Sequence, residues 1–583
     1  MRFIACLTAF AAVAQQPATR PPRAPYRIES PVALAGDESG GLRHLIERYR
    51  ADRGSLGRFY DQALSPMTDR AMREFYAEWR RTLAALDFAK LDQHAKVDHV
   101  LLNNRISLEM ARLDLQKRRI DEMLPLLPFL PSLMDMKEGR QRVDPLEGAR
   151  AAALLVQTSK QLGELTQWVT AKSGGPAVDR STARRAAAAI ETLRNVLKEW
   201  HQFRASYDPE FTWWTTDPYK RLDQDLQKYA ALIRERLVGV SKEDRDTIIG
   251  DPIGRDALLE ELRHELIAYT PDELVAIAER EFAWCDREML RASRDLGFGD
   301  DWKRALEHVK TLHVAPGKQT ALILEQAVEA IQYLRQHDLV TVPPLAADTW
   351  RVEMMSPEQQ RISPFFLGGE VIRVSFPTDT MTHEEKMMSM RGNNIHFSRA
   401  TVHHELIPGH YLQQFMTARH RAYRSQMFTT PFWTEGLALY WEMFLWDHGF
   451  AKSPENRIGM LFWRMHRCAR ILFSLNFHLG KWTPQQCVDF LVNRVGHEYA
   501  NASAEVRRSF EGNYPPLYQA AYMLGGLQFR ALQKELVTSG KMKVRDFHDA
   551  LYKLNNIPVE MVRATLVNAP LSPDFRSTWR FAD

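Results

Sequence analysis

Three short runs, each a hydroxyl residue followed by proline, mark places where helices must begin. Thr270-Pro271-Asp272-Glu273 supplies a capping hydroxyl, a proline whose missing N–H is harmless in the first turn, and a glutamate that reaches back to the cap. Thr483-Pro484-Gln485-Gln486 repeats the pattern, and Ser453-Pro454-Glu455 opens in the same way. Apolar residues then recur at helical spacing, as in Leu274, Ile277, Ala278 and Phe282. Ile190, Leu193, Leu197 and Trp200 mark another helix, with Ser181 or Thr182 near its start. Asp217-Pro218 is expected to cap a helix through Leu222, Leu226 and Leu232, with Trp213 and Trp214 packing ahead of the cap. Strand signals are scarce, the clearest being residues 370–376, which follow Gly368-Gly369. These signals predict a mainly α fold with one small β-sheet.

At 583 residues the chain is long enough to bury a large core, and its 45% apolar, 26% charged composition is that of a folded protein. Its 77 basic and 73 acidic residues are intermixed, so no nucleic-acid partner is expected. Met1-Arg2, the apolar run Phe3 to Ala14 and the small-residue end Ala12-Val13-Ala14 read as a signal peptide, residues 1–14. Cys6 lies too near the start for a lipoprotein site. No other run is long enough to span a bilayer, so no membrane insertion is expected after cleavage, and the expected location is periplasmic or secreted. Cys285, Cys468 and Cys487 are too few for a disulfide framework. The Pro- and Ala-rich residues 15–34 read as a linker. A helical region over 35–345 and a catalytic region over 346–583 follow, with no signal to say whether they are separate.

Chemistry concentrates in His403-His404-Glu405-Leu406-Ile407-Pro408-Gly409-His410 and, 25 residues later, Glu435-Gly436-Leu437-Ala438-Leu439-Tyr440-Trp441-Glu442. Two imidazoles flanking a carboxylate are the parts of a zinc hydrolase. In the common zincin motif the two histidines sit four apart on one helix. His404 and His410 are six apart, a rotation of about 600° that puts them on different faces of a regular helix. Pro408 cannot complete the helical ladder and Gly409 tolerates unusual backbone, so a bulge or kink can bring His410 round. His403 with His410 is the competing pair, nearly in phase but about 10.5 Å apart along the axis. Glu435 is the expected third ligand of one Zn2+ ion. Glu442 is expected beside the ligands, orienting a histidine, and His403 is placed with it. Three protein ligands with an open position form a catalytic pattern, in which Glu405 serves as base and then acid.

At these residues the chain resembles the bacterial domain-of-unknown-function 885 family, whose pattern is HExxPGH followed by EGxAxYxE. His404, Glu405, Pro408, Gly409, His410 and Gln413 match the first part. Glu435, Gly436, Ala438, Tyr440 and Glu442 match the second, with Leu437 where Trp is usual. Ser474 stands where the family has Asp, and Pro516-Leu517-Tyr518 where a Pro-Gly-Gln run is common. The family is similar in helical architecture to zinc oligopeptidases and dipeptidyl carboxypeptidases. That similarity implies a two-lobed zincin-like fold, Glu435 as third ligand, and a channel admitting short or unstructured peptides.

Hydrolysis also needs a donor for the developing oxyanion, for which Tyr522 is the first candidate and Tyr518 the second. Arg508 can pair with a substrate carboxylate through its planar fork, although an exposed arginine is the plainer reading. Arg464, Arg467 and Arg470 recur every three residues and read as a solvated basic face, with a substrate clamp as the alternative. The expected activity is a zinc-dependent metallopeptidase acting on short peptides. A hydrolase of other amides or esters, or a non-catalytic peptide binder, are the alternatives.

Overall fold

The structure, a computed structural model, describes residues 42–582 apart from 172–175, 242, 245, 364 and 513. The expected signal and linker lie outside the described residues. The chain divides into two compact units whose segments alternate: residues 54–75 and 116–245 form one, residues 76–115 and 246–582 most of the other. Residues 246–345 therefore cluster with those that follow 345.

In the first unit, α1 (Gly148–Thr170) and α2 (Arg180–Arg204) both pack on α3 (Pro209–Ile233). The face of α2 carrying Ile190, Leu193, Leu197 and Trp200 is buried, and Asp179 caps its start by accepting the Thr182 N–H. α3 corrects one expectation. It begins at Pro209, capped by Asp208, and runs straight through Pro218. Burial of Phe211 and Thr215 in its first turns outweighs the backbone bond that Pro218 forfeits. Trp213 and Trp214 lie on the helix surface, 83% and 45% exposed.

The second unit contains α4 (Pro271–Asp295), whose Thr270–Glu273 capping box forms in full, and α5 (Gln319–Gln336). A two-stranded parallel sheet follows, β1 (Arg351–Met354) on β2 (Val371–Val374), with Arg351 opposite Val371 and Met354 opposite Val374. Then come α6 (Ile395–Glu405), α7 (His410–Thr417), α8 (Pro431–Asp447), α9 (Pro454–His478), α10 (Tyr499–Glu511) and α11 (Tyr518–Gln533). The Ser453 cap opens α9, and the Thr483–Gln486 capping box forms beyond its end. From Ile458 to His478, α9 is buried without interruption, and α4, α6 and α11 pack on it. The arginine stripe is therefore not a solvated face. A helix packed on every side is a core helix, and its arginines are carried inside with it.

α8 and α11 meet through glycines. A methyl group on Gly436 would lie 2.6 Å from Gly525 Cα, and one on Gly525 would lie 2.1 Å from the Phe432 carbonyl oxygen. Backbone-to-backbone approach sets the spacing of α8, which carries Glu435 and Glu442, against α11, which carries Tyr518 and Tyr522. Gly436→Ala should therefore overpack the contact and destabilise the protein by about 1–3 kcal/mol. Gly163→Ala, on α1 with open space around it, should be neutral or raise stability by about 0.5–1 kcal/mol. Chemical denaturation of both variants checks the pair, and equal midpoints would refute the contact.

Candidate metal centre

The fold brings His404 and His410 together by ending one helix and starting another. α6 stops at Glu405, and Leu406 leaves helical geometry with φ −109° and ψ −102°. The Ile407–Pro408 bond is cis, and α7 begins at His410. The Gly409 N–H reaches back to the His403 carbonyl at 3.0 Å, so the chain doubles over the end of α6. A methyl group at Gly409 would sit 1.7 Å from the His404 carbonyl oxygen. Only glycine permits that approach. The bulge or kink expected here is an outright break between two helices, because Pro408 removes a ladder donor where the chain already turns back. The two imidazoles end 4.8 Å apart between centroids and nearly perpendicular.

α8 presents Glu435 to both rings. Its Oε2 lies 3.1 Å from His410 Nε2 and 3.6 Å from His404 Nε2. Ligand atoms bound tetrahedrally at zinc distances are about 3.3 Å apart, so the three atoms suit one small cation. Glu435 Oε1 accepts a hydrogen bond from Tyr518, whereas the buried Oε2 faces the two imidazole nitrogens. Glu405 joins His404 and His410 in a cluster of donor atoms within 4.8 Å, but its Oε2 is 3.9 Å from His410 Nε2. Of the two carboxylates, Glu435 sits closer to ligand spacing and Glu405 is left for other work.

Neighbouring groups fix the ring tautomers. His404 Nδ1 lies 2.6 Å from Glu442 Oε1, an acceptor, so Nδ1 holds a proton and Nε2 is the nitrogen turned to Glu435. Gln413 Nε2 donates to the Thr434 carbonyl at 2.9 Å, which turns its Oε1 towards His410 Nδ1 at 3.2 Å. His410 is thereby oriented in the same sense. Burial would lower His410, but Glu435 outweighs it and pushes the imidazole up to about 9. Burial would raise Glu435, but His410 and His404 hold it well below the usual carboxylate range. Burial raises Glu405, and the two imidazoles oppose that only in part. Gly368 makes room for it: a methyl group there would lie 2.3 Å from Glu405 Oε2.

Gly368, His404, Glu405, His410 and Glu435 line one cavity of about 230 Å³, together with Phe365, Arg373, Trp463, Arg467, Arg470, Arg508, Tyr514, Tyr518 and Tyr522. Tyr522 stacks parallel to His404 at 6.3 Å, and its hydroxyl has no hydrogen-bond partner among the described residues. Tyr518 spends its hydroxyl on Glu435, which makes it a support for that carboxylate. Arg508 is not an exposed arginine: its side chain is 14% exposed and pairs with Glu505. His403 does not reach the cavity and does not pair with His410. Its Nδ1 donates to the Arg399 carbonyl at 2.9 Å, its ring packs edge-on to Phe450, and burial pushes it down to about 4. Of the arginine stripe, read first as a solvated face with a substrate clamp as the alternative, Arg467 and Arg470 stand on the cavity wall and Arg464 does not.

The family model for bacterial proteins of unknown function, DUF885, matches residues 52–566. The chain belongs to the DUF885 family. This DUF885 protein is similar in fold to a candidate lipoprotein of unknown function from Shewanella oneidensis, with a TM-score of 0.63 and 14% identity over 90% of this chain and 99% of that one. It is also similar to a candidate lipoprotein from Colwellia psychrerythraea, with a TM-score of 0.54 and 15% identity over 91% and 99%. No curated protein matches the chain. Among the described residues of this DUF885 protein, no helix is long and apolar enough to cross a membrane.

The geometry makes a quantitative prediction for metal binding. Glu435 raises both His410 and His404, so a cation must displace imidazole protons, and apparent zinc affinity should rise about tenfold or more per pH unit from 6 and level off once both rings are neutral. Glu442→Gln should weaken zinc binding by about 10–100-fold by loosening His404. Competition titration with a chromogenic chelator measures both, and a pH-independent affinity would refute the assignment of His410.

Proposed function

We propose that the protein is a metal-dependent hydrolase, and within that class a zinc metallopeptidase acting on short or unstructured peptides. One observation carries the reading: three lone-pair donors from α6, α7 and α8 converge at ligand spacing, with an unused carboxylate, Glu405, beside them. His404, His410 and Glu435 would hold the ion. A bound zinc ion supplies Lewis acidity, polarising an amide carbonyl and making water acidic near neutral pH.

The chain's own groups account for the proton movements. Glu405, its basicity raised by burial, takes a proton from the attacking water and returns it to the departing amine. The unpaired Tyr522 hydroxyl is available to donate to the oxygen that gains charge. Tyr518 holds Glu435 in place from the other oxygen, and Glu442 and Gln413 keep the rings from turning. A cavity of about 230 Å³ has room for a few residues of chain, which favours short or unstructured substrates. The similarity to two candidate lipoproteins, with the apolar start of the chain, supports a place in the cell envelope, periplasmic or secreted.

Digestion of a peptide library read by mass spectrometry, with and without chelator, tests the activity. Cleavage should stop on metal removal and return with zinc. Glu405→Gln should retain zinc and lose about 10²–10⁴-fold in rate. Zinc retention with no peptide cleaved, but turnover of other amides or esters, would replace the substrate class. Failure to bind zinc at all would favour a peptide-binding protein without catalysis.

A further inference from the structure

The cavity wall carries positive charge that the metal centre does not use. Arg470 Nε donates to Glu505 Oε1 at 2.7 Å and Arg508 Nε donates to Glu505 Oε2 at 2.6 Å, so a single carboxylate serves two guanidinium groups. Arg470 is 2% exposed, and its Nη1 is buried with no acceptor. Arg467 has its own counter-charge in Glu442 at 3.7 Å, which is shared with His404. Arg467 and Arg470 cover the Tyr522 ring at 4.7 and 4.2 Å, and Arg508 lies 5.6 Å from the Tyr514 ring centre. Four carboxylates (Glu405, Glu435, Glu442 and Glu505) thus meet three buried guanidinium groups around the cavity, while the fourth guanidinium on its wall, Arg373, is exposed and paired with Glu353. A divalent cation turns that balance into an excess of one positive charge, and a buried excess charge calls for an anionic partner.

We propose that Arg470 and Arg508 form a subsite for a substrate carboxylate, and that its occupant is the free carboxyl terminus of a short peptide. Planar guanidinium groups match a carboxylate with paired hydrogen bonds and hold it in one orientation. A cavity of about 230 Å³ has room for the end of a chain, whereas an acidic side chain would bring backbone on both sides. A terminus held on the wall that also carries Tyr522 places the reacting amide near the carboxyl end, so the enzyme would release a short fragment from that end. The cleavage direction rests on the metallopeptidase reading, whereas the subsite itself is tested by binding.

The probes are N-acetyl-tetraalanine as the free acid, the same peptide as its carboxamide, and N-acetyl-Ala-Ala-Ala-Glu carboxamide. Calorimetric titration uses the zinc-loaded, full-length Glu405→Gln protein, and hydrolysis of the same peptides uses the unaltered enzyme. The free acid should bind about 10–100-fold more tightly than its carboxamide. That preference should largely vanish in Glu405→Gln/Arg508→Gln and survive in part in Glu405→Gln/Arg508→Lys, which separates guanidinium recognition from direct contact with zinc. Equal or undetectable binding of acid and amide to the Glu405→Gln protein overturns the proposal without reliance on any arginine variant. If the glutamate-bearing carboxamide binds as tightly as the free acid, the assignment to the carboxyl terminus is overturned. Acid-selective binding without hydrolysis of any peptide by the unaltered enzyme supports the subsite and refutes the peptidase reading alone.

Discussion

The contact between Gly409 and the backbone of His404 is the constraint on which the centre depends. A side chain at position 409 would occupy the His404 carbonyl, so the doubled-over chain exists only because that residue has no Cβ. From this single approach follow the short gap between α6 and α7 and the convergence of two histidines that a continuous helix would separate. α8 then has to stand at the right depth to add Glu435. The glycine contact between α8 and α11 sets that depth and brings Tyr518 up to the same carboxylate.

Around this backbone arrangement the electrostatics are closed in pairs. Glu442 is shared by His404 and Arg467, and Glu505 by Arg470 and Arg508. Buried charges are costly unless partnered, so Arg467 and Arg470 on α9 restrict where the acids of α8 and α10 can lie. The same bookkeeping leaves Glu435 Oε2 with only the two imidazoles beside it and Arg470 Nη1 without an acceptor, both residues on the walls of one cavity. A cation suits the first and an anion the second. A metal ion and a substrate carboxylate would complete a set of charges that the protein alone leaves open.

Much of the fold was legible from local chemistry. The proline-headed caps at Thr270, Ser453 and Thr483 are short-range hydrogen-bond patterns, and each starts a helix where its residues stand. Asp217-Pro218 misled because the same pattern occurs earlier, at Asp208-Pro209, where burial of Phe211 favours starting the helix sooner. The arginines of α9 misled for a related reason. Three-residue spacing says which residues share a face, and only packing by α4, α6 and α11 says that no face of that helix meets water.

The sequence by itself determined which residues make up the candidate centre: two histidines, a neighbouring glutamate and a second acidic helix, with Pro408 and Gly409 announcing that the helix between them cannot be regular. Those are properties of side chains and of local backbone freedom, and they survive without neighbours. Tertiary structure decided that the helix breaks outright, that His403 turns to Phe450, and that Arg470 and Arg508 share one carboxylate on the cavity wall. Each of these depends on what lies within a few ångströms across the fold, and spacing along the chain does not encode that distance.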